Sequence, residues 1–125
     1  MDLFLAYCHH DEEYVSGLED DLAGRGLVVG EPLPLWEGQP LLPQIDQRLH
    51  ESRHAIVVVS RAFLKFSWTR KELDGLTTRS KVVAILSDII ESDVAGHSPR
   101  LAVAALPGSL SVRLVRLMRP EGLDQ

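Results

Sequence analysis

Five consecutive residues, Ala55-Ile56-Val57-Val58-Val59, limit what this chain can fold into more than any other feature. Four of the five are β-branched, and a branched Cβ is stiff in a helix but packs well on a pleated surface. Successive side chains of a strand point to opposite faces, so an unbroken apolar strand must be covered on both. Such strands belong to parallel sheets with helices on each face. Leu3 to Cys8 and Val82 to Leu86 repeat the pattern, uncharged and too short for helices. Leu27-Val28-Val29 reads as a second strand, and Leu110 to Leu117 alternates well enough for a fifth.

Helical spacing fills the gaps. Val15, Leu18 and Leu22 recur on one face, with Glu12, Glu13, Glu19, Asp20 and Asp21 for the wet side. Asp11 reads as the cap of this helix, and Gly24 and Gly26 as its stop. A helix begins near Pro43, with Leu42, Ile45 and Leu49 as its stripe, and Ala62 to Leu76 is a broken helical stretch. Gly30 to Pro40, holding Pro32, Pro34, Trp36 and Gly38, exceeds the usual ~2–6-residue strand-to-helix connection, as functional loops often do. Ser92 to Arg100 reads as a loop and Pro107-Gly108 as a break. The expected fold is therefore α/β: a flavodoxin-like, doubly wound, five-stranded parallel sheet with helices on both faces, binding ligands beyond the carboxyl ends of its strands.

With 125 residues the chain has room for one core. A net charge of -5 argues against nucleic acid, whose binders carry a basic face. The single cysteine, Cys8, cannot form an internal disulfide, and no Cys/His spacing resembles a zinc site, so no metal is expected. His9 and His10 are adjacent and point apart. Met1-Asp2-Leu3 lacks the basic start of a signal peptide, and no apolar run approaches the ~18 residues of a membrane span. The expected location is the cytoplasm, without membrane association.

One carboxylate stands out. At about 100° per residue, Trp68, Leu73 and Leu76 define an apolar arc, and Glu72 falls between Trp68 and Leu76. As an i, i+4 pair, Trp68 and Glu72 would be neighbours on one helix surface. A carboxylate at the rim of a buried stripe loses solvation unless something polar meets it. That group is either a ligand or a partner within the protein, such as Arg70, Lys71 or a more distant arginine. The other candidates cluster at strand ends: Tyr7, Cys8 and His9 after the first strand, and Ser60-Arg61 after the third.

Three segments together resemble a TIR domain of the bacterial type. They are Asp2-Leu3-Phe4-Leu5-Ala6-Tyr7-Cys8-His9-His10-Asp11-Glu12, the turn Gly38-Gln39-Pro40-Leu41 leading to Ile45, and Ala55 to Ser60 with Phe63-Leu64 and Trp68-Thr69-Arg70-Lys71-Glu72-Leu73. The last contains the Trp-x-x-x-Glu pattern of that family. The resemblance covers roughly residues 2–86 and departs from the family at Ala6, where serine is common, at Cys8 and His9, and in the prolines and Trp36 of the long loop. It implies a TIR domain over 1–118 and a tail over 119–125 leading to a further domain, a fused sensor or effector module.

The resemblance also implies an activity: NAD glycohydrolase, cleaving the nicotinamide–ribose bond with Glu72 as the catalytic residue, in bacterial immune signalling against phage. NAD is then substrate rather than cofactor, and the product is ADP-ribose or a cyclised isomer, according to which nucleophile meets the ribose cation. The chemistry suits one carboxylate. Nicotinamide leaves as a neutral group from a pyridinium, so no general acid is needed, and an ionised carboxylate can stabilise the oxocarbenium-like ribose. At ~4 Å and an effective dielectric near 20, unit charges attract by about 4 kcal/mol, or roughly 10³-fold in rate if realised in the transition state. Trp68 and Tyr7 would pack around nicotinamide or ribose, with His9 and the Cys8 backbone lining the phosphate or ribose end.

The competing implication is a non-enzymatic adaptor that associates with other TIR domains through Pro34, Trp36 and Gly38 of the long loop. The two combine if self-assembly gates catalysis. A response-regulator receiver shares the sheet but needs an acid pair after its first strand and an Asp after its third. Tyr7-Cys8 and Ser60-Arg61 occupy those places.

Overall fold

The computed structural model describes residues 1–107. Five parallel strands, β1 (Leu3–Tyr7), β2 (Leu33–Pro34), β3 (His54–Val59), β4 (Val82–Leu86) and β5 (Leu106–Pro107), lie in the order β2-β1-β3-β4-β5. The helices are α1 (Glu12–Gly24), α2 (Leu41–Leu49), α3 (Arg61–Lys65), α4 (Arg70–Leu76), α5 (Glu91–Ala95) and α6 (Pro99–Ala104), with a 3-10 turn at His9–Asp11. This is the flavodoxin-like order, with its topological switch between β1 and β3. The α/β reading of the sequence is borne out.

Alternation along the strands divides the core as the apolar runs require. Leu3, Leu5, Ile56, Val58 and Ile85 pack with Val15, Leu18 and Leu22 of α1. Phe4, Ala6, Cys8, Ala55, Val57 and Val59 face the other way, into a cluster with Leu41, Ile45, Leu73, Leu76 and Leu101. All of these side chains are buried, and β3 is covered on both sides. The α2 stripe is rotated from the expected one: Leu41 and Ile45 are buried, whereas Leu42 and Leu49 pack at the cluster's edge.

Three segments differ from expectation. Leu27-Val28-Val29 forms only an isolated bridge, Val29 to Leu3, and the paired strand is Leu33–Pro34, inside the segment expected to be loop. Pro34 has no N–H to offer a ladder, which confines it to an edge strand such as β2. Ser92 to Arg100 is largely helical rather than a loop, because Ser98 accepts a hydrogen bond from Leu101 N at 3.1 Å and Pro99 sits in the first turn of α6. Gly96 and Pro99 mark the boundary between two helices. The described fifth strand is Leu106–Pro107, at the expected break; the strand expected over Leu110–Leu117 lies outside the described residues.

Candidate functional site

The Glu72 environment is built by the start of α4. Thr69 is the N-cap, and its hydroxyl accepts a hydrogen bond from Glu72 N at 3.1 Å. Glu72 is the third helical residue, and its Oε1 accepts from Thr69 N at 3.0 Å. Thr69-Arg70-Lys71-Glu72 is thus a complete capping box. Trp68 lies outside the helix, immediately before the cap, so it and Glu72 are not neighbours on one helix surface. Trp68 and Leu73 instead hold the two positions of a hydrophobic staple and belong to one apolar cluster. The Trp68 ring packs 5.7 Å from that of Phe63 and 5.3 Å from that of Phe66, centroid to centroid.

The second carboxylate oxygen reaches across to another element. Glu72 Oε2 accepts from Leu41 N, the first residue of α2, at 2.6 Å. Neither Arg70 nor Lys71 pairs with Glu72 in any described ion pair; Arg70 instead lies 3.9 Å from Asp74. The polar groups that meet the half-buried carboxylate are therefore backbone amides. Burial alone would raise its pKa and is the largest single effect. The amides of Thr69 and Leu41 and the Thr69 side chain together outweigh it, holding the group below its ordinary value and ionised at neutral pH.

Glu72 lines a cleft of about 420 Å³ with Gly38, Gln39, Pro40, Ser67, Trp68 and Thr69. One wall is the end of the loop after β2, where Gly38 adopts φ +87°, a conformation that favours glycine. The other is the segment joining α3 to α4. The Trp68 indole Nε1 is buried and has no hydrogen-bond partner among the described residues. A buried indole N–H usually finds an acceptor.

The structure brings together Glu72, Trp68 and Gly38, and not the other candidates. Tyr7 packs on the α1 side of the sheet with Leu3 and Leu5, opposite the cluster that includes Trp68 and Leu73. Burial, and then Glu12 and Glu19 of α1, push its hydroxyl pKa upward. Cys8 is fully buried, and that burial raises its thiol pKa, leaving little thiolate. His9 is exposed, and its ring lies 4.0 Å from that of His10, so the two side chains do not point apart as expected: the 3-10 turn at His9–Asp11 replaces the extended backbone that would have separated them. None of these three side chains lines the Glu72 cleft. Pro34 of β2 pairs with Tyr7 of β1, and Trp36 is 64% exposed on the loop.

Asp11, expected to cap α1, makes no side-chain cap bond; it accepts instead from Ser60 Oγ at 2.5 Å. The hydroxyl of Ser60 also caps α3 by accepting from Phe63 N. This link ties the segment after β1 to the segment after β3, at the topological switch.

The roles of Thr69 and Leu41 at this carboxylate were not among the expectations from the sequence. A Thr-x-x-Glu spacing ahead of an apolar residue is a capping-box signature legible in the sequence. The Leu41 contact spans 31 positions, and only the folded backbone reveals it.

The sequence pattern of the TIR domain family matches residues 3–110. The chain is 35% identical over 108 residues to the 2' cyclic ADP-D-ribose synthase AbTIR of Acinetobacter baumannii, an alignment covering 81% of this chain and 40% of that protein. It is 34% identical over 108 residues to the NAD(+) hydrolase PdTIR of Paracoccus denitrificans, covering 81% and 36%. It is 38% identical over 80 residues to the NAD(+) hydrolase TcpA of a Theionarchaea archaeon, covering 62% and 24%. The matched region is thus at most two fifths of the length of these relatives. Its fold superposes on the TIR domains of the activated Roq1 resistosome recognising the effector XopQ, with a TM-score of 0.54 at 24% identity, covering 82% of this chain and 67% of that one. The fold and the matched sequence agree: the chain belongs to the TIR domain family.

Proposed function

We propose that this domain cleaves the nicotinamide–ribose bond of NAD, with Glu72 as the catalytic carboxylate. The observation that carries the reading is the Glu72 carboxylate, fixed by backbone amides at a cleft whose other wall holds Trp68. Two amide donors orient the carboxylate and leave each oxygen further acceptor capacity, enough to receive a ribose hydroxyl while facing a developing cation. Little reorganisation is then needed as charge appears on the ribose, which is how preorganised electrostatics lowers a barrier. Trp68 supplies a flat apolar wall. The names of the relatives, NAD(+) hydrolase and 2' cyclic ADP-D-ribose synthase, support the same substrate.

In this reading the side chains of Tyr7, Cys8 and His9, which do not line the Glu72 cleft, are given no contact with the substrate. The test is incubation with NAD and chromatographic separation of nicotinamide, ADP-ribose and cyclised products. An absence of nicotinamide release at every protein concentration would overturn the reading.

Self-association is the second part of the proposal, and the exposure of Trp36 favours it. A large aromatic on a proline-stiffened loop loses little entropy on docking and suits an interface anchor. Other copies of the TIR domain are the proposed partners, with assembly gating turnover, and a fused sensing module on the longer chain would trigger it. Among the described residues no helix is long and apolar enough to cross a membrane.

A further inference from the structure

The side chain of Gln44, on the first turns of α2, makes four hydrogen bonds to the backbone of the loop that walls the Glu72 cleft. Its Oε1 accepts from Trp36 N at 2.9 Å. Its two Nε2 hydrogens are shared among three carbonyls, Trp36 O at 3.3 Å, Gln39 O at 3.3 Å and Pro40 O at 3.0 Å. A carboxamide is the side chain suited to this task, because it offers an acceptor and two N–H donors on one planar group. Glutamate lacks the donors, and methionine lacks both functions at similar length.

The contact to Pro40 O has a particular consequence. That carbonyl and the N–H of Leu41 belong to one peptide unit, and the peptide bond is planar. Gln44 holds the oxygen end of this plane at 3.0 Å, and Glu72 holds the N–H end at 2.6 Å. The two side chains therefore grip opposite ends of a single rigid amide. A hydrogen bond accepted at the carbonyl polarises the amide and strengthens donation from its N–H. Rotation of the plane would carry the Leu41 N–H away from the carboxylate. We infer that Gln44 is a positioning residue for Glu72, acting through the Pro40–Leu41 peptide and the loop wall it braces.

The catalytic half of this inference rests on the NAD-cleaving reading; the geometric half does not. Gln44→Met removes the four bonds without adding charge. In the domain at a concentration where wild type turns NAD over, the variant should show kcat lowered about tenfold with KM changed less than about twofold, since the loss falls on transition-state stabilisation. Combined with Glu72→Gln, the Gln44→Met change should lower turnover no further, because its effect passes through the carboxylate. The Leu41 amide proton, deshielded by a short charge-assisted bond, should move upfield in the NMR spectrum of Gln44→Met, while core amides of β3 stay in place.

Equal, additive losses in both backgrounds would overturn the inference, and so would an unmoved Leu41 resonance. If wild type itself leaves NAD intact, the functional reading fails and the Leu41 resonance alone decides the geometric half. Should Gln44→Met not fold, Gln44→Glu keeps the acceptor for Trp36 N and loses the donors to the three carbonyls; the same upfield shift is expected, and its absence contradicts the inference.

Discussion

Leu41 N donates to Glu72 Oε2 at 2.6 Å, so the carboxylate that lines the cleft also fastens the start of α2 to the start of α4. One side chain thereby combines a capping role, an inter-helix tie and the proposed chemistry. The consequence for mutagenesis is immediate. Replacing Glu72 tests stability and catalysis together unless the substitution is chosen to separate them.

Glu72→Ala leaves the amides of Thr69 and Leu41 without their acceptor and should destabilise the domain by about 1–2 kcal/mol, the usual range for a lost cap or an abandoned half-buried donor. Glu72→Gln should lose less, because glutamine also serves at the third position of a capping box. Urea unfolding of the two variants beside wild type checks this. Equal stability of all three would contradict the capping role.

Asp46 and Arg79 form a two-pronged pair at 2.7 and 2.8 Å that joins α2 to the turn after α4. The Arg79 hydrogen bond, the foremost cause, holds the Asp46 carboxyl below its ordinary value despite partial burial. A lowered folded-state pKa means that the unfolded chain binds the proton more readily. The pair's contribution is therefore fully present above the ordinary carboxylate pKa of about 4 and is lost as pH falls through the lower folded value. Asp46→Asn should flatten that part of the acid limb of the stability profile. Because the pair is partly exposed, the loss near neutral pH should stay within about 1 kcal/mol. An unchanged acid limb in this variant would show that the pair does not govern it.

Gly38 adopts φ +87° in the wall of the cleft. Gly38→Ala meets no crowding around its new methyl group, so its cost is conformational, about 1–2 kcal/mol if the loop keeps its shape. The loop should relax instead, and KM for NAD should rise several-fold while the melting temperature falls by only a few degrees. A variant with wild-type KM would remove this loop from the substrate site.

Trp36 is 64% exposed, and truncating it removes little from the core. Trp36→Ala should therefore leave the melting temperature within about 2 °C, since surface substitutions stay within about ±0.5 kcal/mol. It should also abolish any rise of specific activity with protein concentration. Sedimentation and turnover measured over the same concentration series check both halves. A concentration dependence identical to that of wild type would place the assembly surface elsewhere.

The central sheet was legible because burial on both faces writes itself as unbroken apolar runs, and Ala55 to Val59 left no other assignment. The edges were not legible. The β2 ladder is two residues long and includes Pro34, so neither periodicity nor composition marks it as a strand. The short helices α5 and α6 were hidden by Gly96 and Pro99, which are boundary residues here rather than loop formers.

The candidate site is legible through Glu72, but an apolar arc does not by itself say why the carboxylate falls there. The carboxylate falls beside the apolar arc because it caps α4, and what meets it is the backbone of Thr69 and Leu41. Tyr7, Cys8 and His9 adjoin a strand's carboxyl end, as the topology rule asks. The rule does not tell a strand residue facing α1 from one facing α2 and α4, and Tyr7 faces α1.

The most direct test of the account is the release of nicotinamide from NAD by wild type and by Glu72→Gln, at protein concentrations high enough for self-association and with both proteins shown to be folded. Loss of the carboxylate charge should lower kcat by roughly 10³-fold, the rate equivalent of about 4 kcal/mol of transition-state stabilisation, while the melting temperature shifts by only a few degrees. Turnover by Glu72→Gln at the wild-type rate would contradict the assignment of Glu72 as the group that stabilises the ribose cation.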